Sequence, residues 1–518
     1  MGRLARLRVV PRAGPLSRRD RLRAVPAPAA ARANRATVRN VTVATRCTSG
    51  TRHDQGYDLV VLGAGSAGFA AAITGAEQGA RVALVGHGTL GGTCVNVGCV
   101  PSKTLIRAAE TLHQAHAAAR FTGIHGEARV ESWSAVMAQK DELVAGLRQA
   151  KYAALLPAYN GIAYLDGPAR LLNGGVAVNG EPLRADKTVI TTGARPAVPP
   201  IPGIAEVPYL TSTTALALER LPRSLLVIGG GYVGCELAQM FARAGVRVSI
   251  VCRRGLLPAA EPEIGQALAR YFRDEGIIVR EGVAYRGIRA TSDGVALALG
   301  VQGGEETIEA EQVLVATGRR PNTEGLGLAE AAIALSENGG IRVNDHLRTT
   351  NPAVYAAGDV TGRDMFVYMA AHGAKLAADN ALNGDTRRYD ATGMPAVVFT
   401  DPQAASAGLT EAQAIESGLR AETRVLSLEH VPRALAAHDT RGLIKLVAEA
   451  ETGRLLGAHI LAPEGCDSIQ SAVLAIRHGL TVSDLAETMF PYLTMVEGLK
   501  LTAQSFAKDV SKLSCCAG

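Results

Sequence analysis

Residues 57–68 read YDLVVLGAGSAG, a short apolar run followed at once by glycines in the pattern Gly-x-Gly-x-x-Gly. The apolar run predicts a buried strand, and the Ala-rich segment that continues to about Gly79 predicts a helix. A second apolar run, 81–85, predicts a parallel partner strand. This order indicates a βαβ dinucleotide unit, in which glycines let the backbone approach a pyrophosphate at the helix N-terminus. We therefore expect an α/β fold.

One residue departs from the pattern of such a unit. The second strand usually ends with an acidic residue that binds a ribose hydroxyl. Gly86 stands at that position here. Other residues must therefore bind the ribose, and we expect weaker binding of the nucleotide.

A second βαβ unit begins with a strand at 224–228, turns through 229–234 (GGGYVG) and predicts its second strand over 246–251. Two units in one chain imply two dinucleotides. The residues after the second strand distinguish the nicotinamide nucleotides, because an acidic residue binds a ribose hydroxyl whereas arginine suits a 2′-phosphate. Arg253 and Arg254 occupy this place, so we expect NADPH; a solvated arginine pair is the alternative.

A dithiol lies between the two units, in the run GGTCVNVGCVPSK that carries Cys94 and Cys99. The segment 103–119 predicts a helix with Ser102 as its N-cap, which puts both cysteines in the preceding loop and first turn. A helix N-terminus and the neighbouring Lys103 both stabilise a thiolate. These features favour redox or soft-metal chemistry. Two buried structural cysteines are the alternative, but they would leave the glycines and the lysine unexplained.

Length and composition restrict the classes of protein. At 518 residues the chain can form several domains with large cores. Eight cysteines in this length argue against a disulfide scaffold and favour a reducing compartment, so we expect a cytoplasmic protein. Because no apolar run is long enough to span a bilayer, we expect no membrane insertion.

The positive charge is concentrated at the start of the chain. Residues 1–56 hold thirteen arginines and no lysine against Asp20 and Asp54, so they carry +11. Since the whole chain carries +6, the remainder carries −5 and does not suggest nucleic-acid binding. We interpret 1–56 as a disordered basic extension, with contact to nucleic acid or membrane as the alternative.

The dithiol run resembles the redox-active segment of the flavoprotein disulfide reductases, and the family pattern continues to the C-terminus. The resemblance implies FAD in the first unit and NADPH in the second. It makes Cys99 the flavin-proximal thiolate and Cys94 the substrate-facing thiol. It also implies an ion pair between Lys103 and Glu236 beside the flavin, and the Tyr232 ring over it.

The same resemblance predicts the domain organisation. It implies two Rossmann-like dinucleotide-binding domains, for FAD and NADPH, followed by a C-terminal α+β dimerisation domain. The expected segments are 1–56 (extension), 57–203 and 326–393 (FAD domain), 204–325 (NADPH domain), 394–506 (dimerisation domain) and 507–518 (tail). The expected cofactor-binding residues are Gly63, Gly65, Ser66, Ala67, Gly68, Gly92, Thr93, Lys103, Gly193, Gly229, Gly231, Gly234, Arg253, Arg254, Gly318, Gly358, Asp359 and Val367.

Two features near the C-terminus concern the substrate. Disulfide-reducing members carry a His-Pro pair whose histidine protonates a leaving thiol, with Glu four residues after the Pro. Glu497 is present here, but Tyr492 replaces the histidine, and a phenol is a poor proton shuttle at neutral pH. Cys515 and Cys516 lie next to each other near the end of the chain, followed only by Ala517 and Gly518 in this sequence. Such a vicinal pair makes a strained intrachain disulfide but a good clamp for a soft metal. This combination resembles the mercuric reductase branch of the family, without the metal-binding domain that begins many of its members.

The resemblance therefore implies NADPH-dependent reduction of Hg(II) to Hg(0) by a homodimer. Hg(II) would arrive as a bis-thiolate, be captured by Cys515 and Cys516 of one subunit, and pass to Cys94 and Cys99 of the other. A disulfide reductase for a small thiol substrate is one alternative, against which Tyr492 argues. A thiol protein that sequesters Hg(II) without turnover is another, against which the two dinucleotide units argue.

Overall fold

A computed structural model of the chain describes residues 56–509. The expectations for the basic extension before Gly56 and for the Cys515–Cys516 tail lie outside the described residues. Within 56–509, no helix is both long and apolar enough to cross a membrane.

A five-stranded parallel sheet organises the first nucleotide-binding unit. Its strands, in spatial order, are Val354–Ala356, Ala185–Ile190, Tyr57–Leu62, Val82–Gly86 and Ile162–Asp166. Its helices are Ser66–Glu77, Gly92–Val97, Cys99–His116, Trp133–Arg148 and Val367–Asn383. Residues 59–62, 82–85 and 188–190 of the central strands are buried because elements cover both faces of the sheet, as is usual for parallel sheets. The predicted βαβ unit is confirmed.

A four-stranded parallel sheet forms the second unit, as predicted. Its strands, in spatial order, are Ile278–Glu281, Arg247–Cys252, Ser224–Ile228 and Gln312–Val315. Its helices are Ser212–Ala215, Tyr232–Arg243 and Pro262–Asp274. An antiparallel sheet of Ala284–Thr291, Gly294–Val301 and Gly304–Ala310 packs beside it.

The third glycine of each motif brings helix and strand close together. A Cβ at Gly68 would lie 1.7 Å from the Gly63 carbonyl oxygen, and one at Gly234 would lie 1.9 Å from the Gly229 carbonyl oxygen. Both distances are far below van der Waals contact. Any larger residue would therefore push the first helix of its unit away from the first strand.

A five-stranded antiparallel sheet with helices forms the C-terminal α+β part. Its strands, in spatial order, are Pro395–Val398, Gln403–Gly408, Leu455–Ala462, Leu443–Glu449 and Ala421–Ser427. Its helices are Glu411–Glu416, Pro432–Ala436, Gly465–Arg477, Val482–Glu487 and Glu497–Gln504.

Two smaller sheets lie earlier in the chain. One consists of Ala169–Leu172, Gly175–Val178 and Glu181–Leu183, and the other of Ala194–Pro196 and Arg319–Pro321. The predicted fold class is confirmed.

The start of the dithiol helix differs from the prediction. The helix Cys99–His116 begins at the second cysteine, and Cys94 lies in the short helix Gly92–Val97. Ser102 is not an N-cap, because it lies in the first turn and its hydroxyl donates to the Cys99 carbonyl oxygen at 3.2 Å. Pro101 explains the difference: proline is tolerated in a first turn, where its missing N–H would have no intrahelical partner.

Candidate active site

A cavity of about 900 Å³ runs along the ends of the first parallel sheet and reaches the second unit and the segment around Phe399. It brings together most of the predicted site residues. Those that line it are Gly63, Gly65, Ser66, Ala67, Gly92, Thr93, Cys94, Cys99, Lys103, Gly193, Tyr232, Glu236, Asp359 and Val367. Those that do not line it are Gly68, Gly229, Gly231, Gly234, Arg253, Arg254, Gly318, Gly358, Tyr492 and Glu497.

The glycine-rich part of the cavity fits a pyrophosphate. The helix Ser66–Glu77 begins at its wall, so unpaired backbone N–H groups face the cavity. Gly92 has φ +66°, and a Cβ there would lie 2.7 Å from the Gly65 Cα. Side chains are therefore excluded where the two backbones meet, and the cavity stays open for a flat, elongated ligand.

Asp359 provides the charged group at another wall of the cavity. Its Oδ2 lies 3.7 Å from the Arg319 Nε. Burial raises the pKa of the Asp359 carboxyl, and the nearby guanidinium opposes that effect. The position suits hydrogen bonding to the hydroxyl-bearing part of a dinucleotide.

The two cysteines of the dithiol are chemically unequal. The Cys94 thiol hydrogen-bonds to Cys99, and this bond, helped by the charge of Lys103, outweighs burial and lowers the pKa of Cys99 to about 7. The same bond, together with burial, raises the pKa of Cys94 well above its ordinary range. Cys99 is therefore the member of the pair that ionises first, while Cys94 stays a thiol at neutral pH. The asymmetry agrees with the roles that the resemblance implies.

The expected ion pair joins the two nucleotide-binding units beside the dithiol. Lys103 Nζ lies 2.6 Å from Glu236 Oε2. Glu236 is only 6% exposed, and its other carboxylate oxygen accepts a hydrogen bond from the Phe399 amide at 2.9 Å. The Lys103 ammonium also lies 4.8 Å from the centre of the Phe399 ring. The charges near Cys99 are thus held in fixed positions by three parts of the chain.

Aromatic rings cover the cavity near the dithiol. Tyr232 lies with its ring centre 5.8 Å from that of Phe366, which stacks on Tyr368 at 5.4 Å. The Tyr368 hydroxyl donates to the Pro395 carbonyl oxygen. Sequence reasoning selected Tyr232 but missed Phe366 and Tyr368 as lining residues, although both flank Val367 in the segment that follows Asp359.

Arg253 and Arg254 lie just beyond the strand Arg247–Cys252, which is one residue longer than predicted at its C-terminal end. Both side chains are exposed. Within the described part of the chain, neither guanidinium has a hydrogen-bond or ion-pair partner. Both are therefore available to an anionic ligand at this sheet end.

Three further cysteines lie outside the dithiol: Cys235 and Cys252 are buried, and Cys466 is half-buried. Cys235 is fully buried, and burial raises its thiol pKa well above the ordinary range. Burial likewise raises the pKa of Cys252 and of Cys466 to about 12. Between residues 56 and 509, no group of three or more His, Cys, Asp or Glu side chains is arranged to hold a metal ion.

Tyr492 and Glu497 lie on the C-terminal part, away from the cavity of their own chain. Tyr492 is 47% exposed, and its neighbours Met489 and Leu493 are also exposed. Glu497 is nearly buried, accepts a hydrogen bond from the Leu493 amide at 3.2 Å, and has its pKa raised by burial. An exposed apolar segment of this kind is typical of an interface between subunits.

The sequence over 57–377 matches the family described as pyridine nucleotide-disulphide oxidoreductase, and 394–503 matches the dimerisation domain of the same family. The chain belongs to the pyridine nucleotide-disulphide oxidoreductase family. Membership confirms the expected FAD, nicotinamide nucleotide and oxidoreductase activity, and the dimerisation domain supports the expected homodimer.

Curated relatives of this oxidoreductase include several mercuric reductases. That of Streptomyces lividans is 49% identical, and the match covers 89% of this chain and 99% of the relative. Those of Staphylococcus aureus and Shigella flexneri are 46% and 47% identical over 90% and 89% of this chain, and over 85% and 82% of their own lengths. The expected resemblance to mercuric reductases is confirmed.

A solved structure with the same fold is the Cu(II) complex of the HOCl-induced flavoprotein disulfide reductase RclA from Escherichia coli. It superposes with a TM-score of 0.76 at 32% sequence identity, and the match covers 88% of this chain and all of the other.

Proposed function

We propose that the protein reduces Hg(II) to Hg(0) with NADPH, through FAD and the Cys94–Cys99 dithiol. The observation that carries the proposal is the unequal dithiol beside Lys103 and Glu236 in the cavity, in a chain 44–49% identical to curated mercuric reductases. A thiolate next to a thiol provides two sulfur ligands for a soft cation. We also propose a cytoplasmic location.

The cavity residues would hold the flavin nucleotide. The N-terminus of the helix Ser66–Glu77 and the glycines Gly63, Gly65 and Gly92 would receive the pyrophosphate, and Asp359 would bind hydroxyl groups. Bound FAD supplies the two-electron carrier between the nicotinamide and the metal. Tyr232 would lie over the nicotinamide side of this carrier and exclude water until the nucleotide displaces the ring.

Metal capture proceeds by ligand exchange between thiolates. Cys99 attacks Hg(II) bound as Hg(SR)₂ and displaces one thiolate. Cys94 displaces the second and gives its proton to that leaving thiolate. An electron pair then reduces the metal, both Hg–S bonds break, and Hg(0) leaves as a neutral atom. No residue needs to act as an external acid, which agrees with a tyrosine where disulfide reductases carry histidine.

Delivery of the metal would cross the subunit interface. Cys515 and Cys516, which lie outside the described residues, would capture Hg(II) from its carrier thiols and pass it to the partner's inner pair. The exposed segment with Tyr492, together with Glu497, would complete the partner's site. Support comes from the exposure of this segment in a chain that carries a dimerisation domain.

The direct test is NADPH oxidation by purified holoenzyme with and without HgCl₂, in excess thiol. We expect oxidation that depends on Hg(II) and produces volatile mercury. Cys94→Ala/Cys99→Ala should abolish it. Efficient turnover of glutathione disulfide or a dihydrolipoamide couple without metal would favour the disulfide reductase instead. Stoichiometric binding of Hg(II) without NADPH oxidation would favour sequestration.

A further inference from the structure

The end of the second strand in the first unit has no room for a side chain. The strand Val82–Gly86 ends at the position where dinucleotide units place an acidic residue for the ribose. A Cβ at Gly86 would lie 2.7 Å from the Tyr164 hydroxyl oxygen and 2.8 Å from the Ala64 Cβ. The Tyr164 hydroxyl therefore occupies the space into which the carboxylate of an acidic residue at position 86 would project.

Strand pairing explains how Tyr164 reaches this space. The strand Ile162–Asp166 pairs in parallel with Val82–Gly86, and Tyr164 lies opposite Leu84. Side chains two residues apart lie on the same face of a strand, so Tyr164 projects from the face on which a side chain at position 86 would project. Its ring extends toward Gly86 at the end of the strand, where it lines the cavity.

Asp166 is the other nearby group that could replace the missing carboxylate. It pairs directly with Gly86 in the register, but its side chain is exposed and does not line the cavity. Tyr164 is half-buried and lines it. Among the residues that the structure describes, the Tyr164 hydroxyl has no hydrogen-bond partner. It is thus a polar atom at the wall of the cavity that none of those residues satisfies.

We propose that the Tyr164 hydroxyl hydrogen-bonds a ribose hydroxyl of the adenosine half of FAD and replaces the carboxylate missing at Gly86. Burial, and then the charge of Asp166, raise the pKa of Tyr164, so the hydroxyl stays protonated and can donate at physiological pH. A phenol makes one neutral hydrogen bond where a carboxylate would accept from both ribose hydroxyls. The pocket therefore binds the same sugar without a charge.

The first test measures FAD binding to apoenzyme through quenching of flavin fluorescence. Tyr164→Phe keeps the ring and removes the hydroxyl, so we expect Kd to rise about three- to tenfold. Tyr159→Phe removes a hydroxyl outside the cavity, and Asp166→Asn removes the neighbouring charge; both should leave Kd unchanged. An unchanged Kd for Tyr164→Phe, or an equal loss for Asp166→Asn, overturns the proposal.

Ribose specificity is tested with FAD analogues that lack the 2′- or the 3′-hydroxyl of the adenosine. One of the two analogues lacks the ribose hydroxyl that Tyr164 binds. Tyr164→Phe and the unmodified protein should bind that analogue with the same Kd, because the Tyr164 hydroxyl then has no partner on the ligand. A loss that persists with both analogues means that Tyr164 acts through packing, and refutes the hydrogen bond.

An exchange of side chains gives an independent readout. Gly86→Asp alone should weaken FAD binding, because the new side chain meets the Tyr164 hydroxyl. Gly86→Asp/Tyr164→Ala removes that obstruction and places a carboxylate at the strand end, so it should bind FAD more tightly than either Gly86→Asp or Tyr164→Ala alone. Failure of the double variant to exceed both single variants contradicts the shared position of the two groups.

Discussion

The Cys94 thiol controls the ionisation of Cys99. Its hydrogen bond is the largest of the effects that lower the Cys99 pKa, ahead of the charge of Lys103. Cys94→Ala removes that donor, so the Cys99 pKa should rise above about 7 and the thiolate should form at higher pH. The long-wavelength charge-transfer absorbance between thiolate and oxidised FAD, followed against pH, measures this. The two-electron-reduced unmodified enzyme is the reference.

Cys99→Ala is the matched control for this measurement. It should lack the band under all conditions, whereas Cys94→Ala should show it without any reductant. A band that survives in Cys99→Ala would reverse the assignment of the two cysteines.

Lys103 and Glu236 act on Cys99 with opposite signs. The lysine charge lowers the Cys99 pKa and the glutamate charge raises it. Lys103→Met should therefore move the midpoint of the charge-transfer band to higher pH, and Glu236→Gln should move it to lower pH. Gln can still accept the Phe399 amide hydrogen bond, so the second variant changes charge with little change in packing. Shifts of the same sign in both variants would contradict this account.

At the scale of elements, the sequence predicts those helices and strands that depend on residues close together in the chain. Both βαβ units follow from local periodicity and glycine spacing, and both are present. The prediction of Ser102 as N-cap was wrong because two signals compete here. Serine favours a cap, but Pro101 before it also fits the first turn of a helix that begins earlier, at Cys99. Tyr164 could not be predicted as a neighbour of Gly86, because their proximity depends on which distant strand pairs beside Val82–Gly86.

The end of the strand Arg247–Cys252 should set the choice of nicotinamide nucleotide. Charge-assisted hydrogen bonds contribute about 1.5–3 kcal/mol each, so Arg253 and Arg254 should favour NADPH over NADH by about tenfold or more in kcat/KM. Arg253→Ala/Arg254→Ala should lose most of that preference. Arg247→Ala, at the opposite end of the same strand, should keep it. Equal kcat/KM for NADPH and NADH in the unmodified enzyme would exclude this role.

At the scale of the whole molecule, a buried charge cluster joins the second unit to the C-terminal part. Lys445 Nζ lies 3.0 Å from Glu261, 2.9 Å from Glu263 and 2.9 Å from Glu411. Lys445 and Glu261 are only 2% and 3% exposed. Lys445→Met would leave a buried carboxylate without its cation, so we expect a loss of about 3–5 kcal/mol in the free energy of unfolding.

Urea unfolding of the holoenzyme measures that loss. Lys375→Met changes an exposed lysine and should leave the unfolding midpoint unchanged. Adding Glu261→Gln to Lys445→Met should recover part of the stability, because the stranded charge is removed. No recovery would mean that Lys445 stabilises the protein through packing instead of charge.

The proposed relay between subunits makes a prediction about the dimer. Cys515→Ala/Cys516→Ala should lose most turnover with glutathione-bound Hg(II), because a bulky bis-thiolate must be opened by accessible thiolates. It should keep its NADPH-to-flavin half-reaction and some turnover with bromide complexes, which can reach the inner pair directly. Retention of full activity with glutathione-bound Hg(II) would exclude a role for the tail.

Mixed dimers test whether the relay crosses the interface. A heterodimer of the tail variant with Cys94→Ala/Cys99→Ala has one site that combines an intact inner pair with the partner's intact tail. With glutathione-bound Hg(II), such heterodimers should be more active than either homodimer. Verified heterodimers without recovery would refute delivery across the interface, though not reduction of the metal.

The buried thiols Cys235 and Cys252 bear on how the enzyme avoids inactivation by its own substrate. Hg(II) binds accessible thiolates tightly, whichever cysteine they belong to. Binding to a cysteine outside the active site would trap the metal in an unproductive complex and could inactivate the enzyme. Protonated, enclosed sulfurs react slowly with such an electrophile. Between residues 56 and 509, the fold thus leaves the metal few reactive thiols besides Cys94 and Cys99, and tolerance of a toxic substrate follows from how the core is packed.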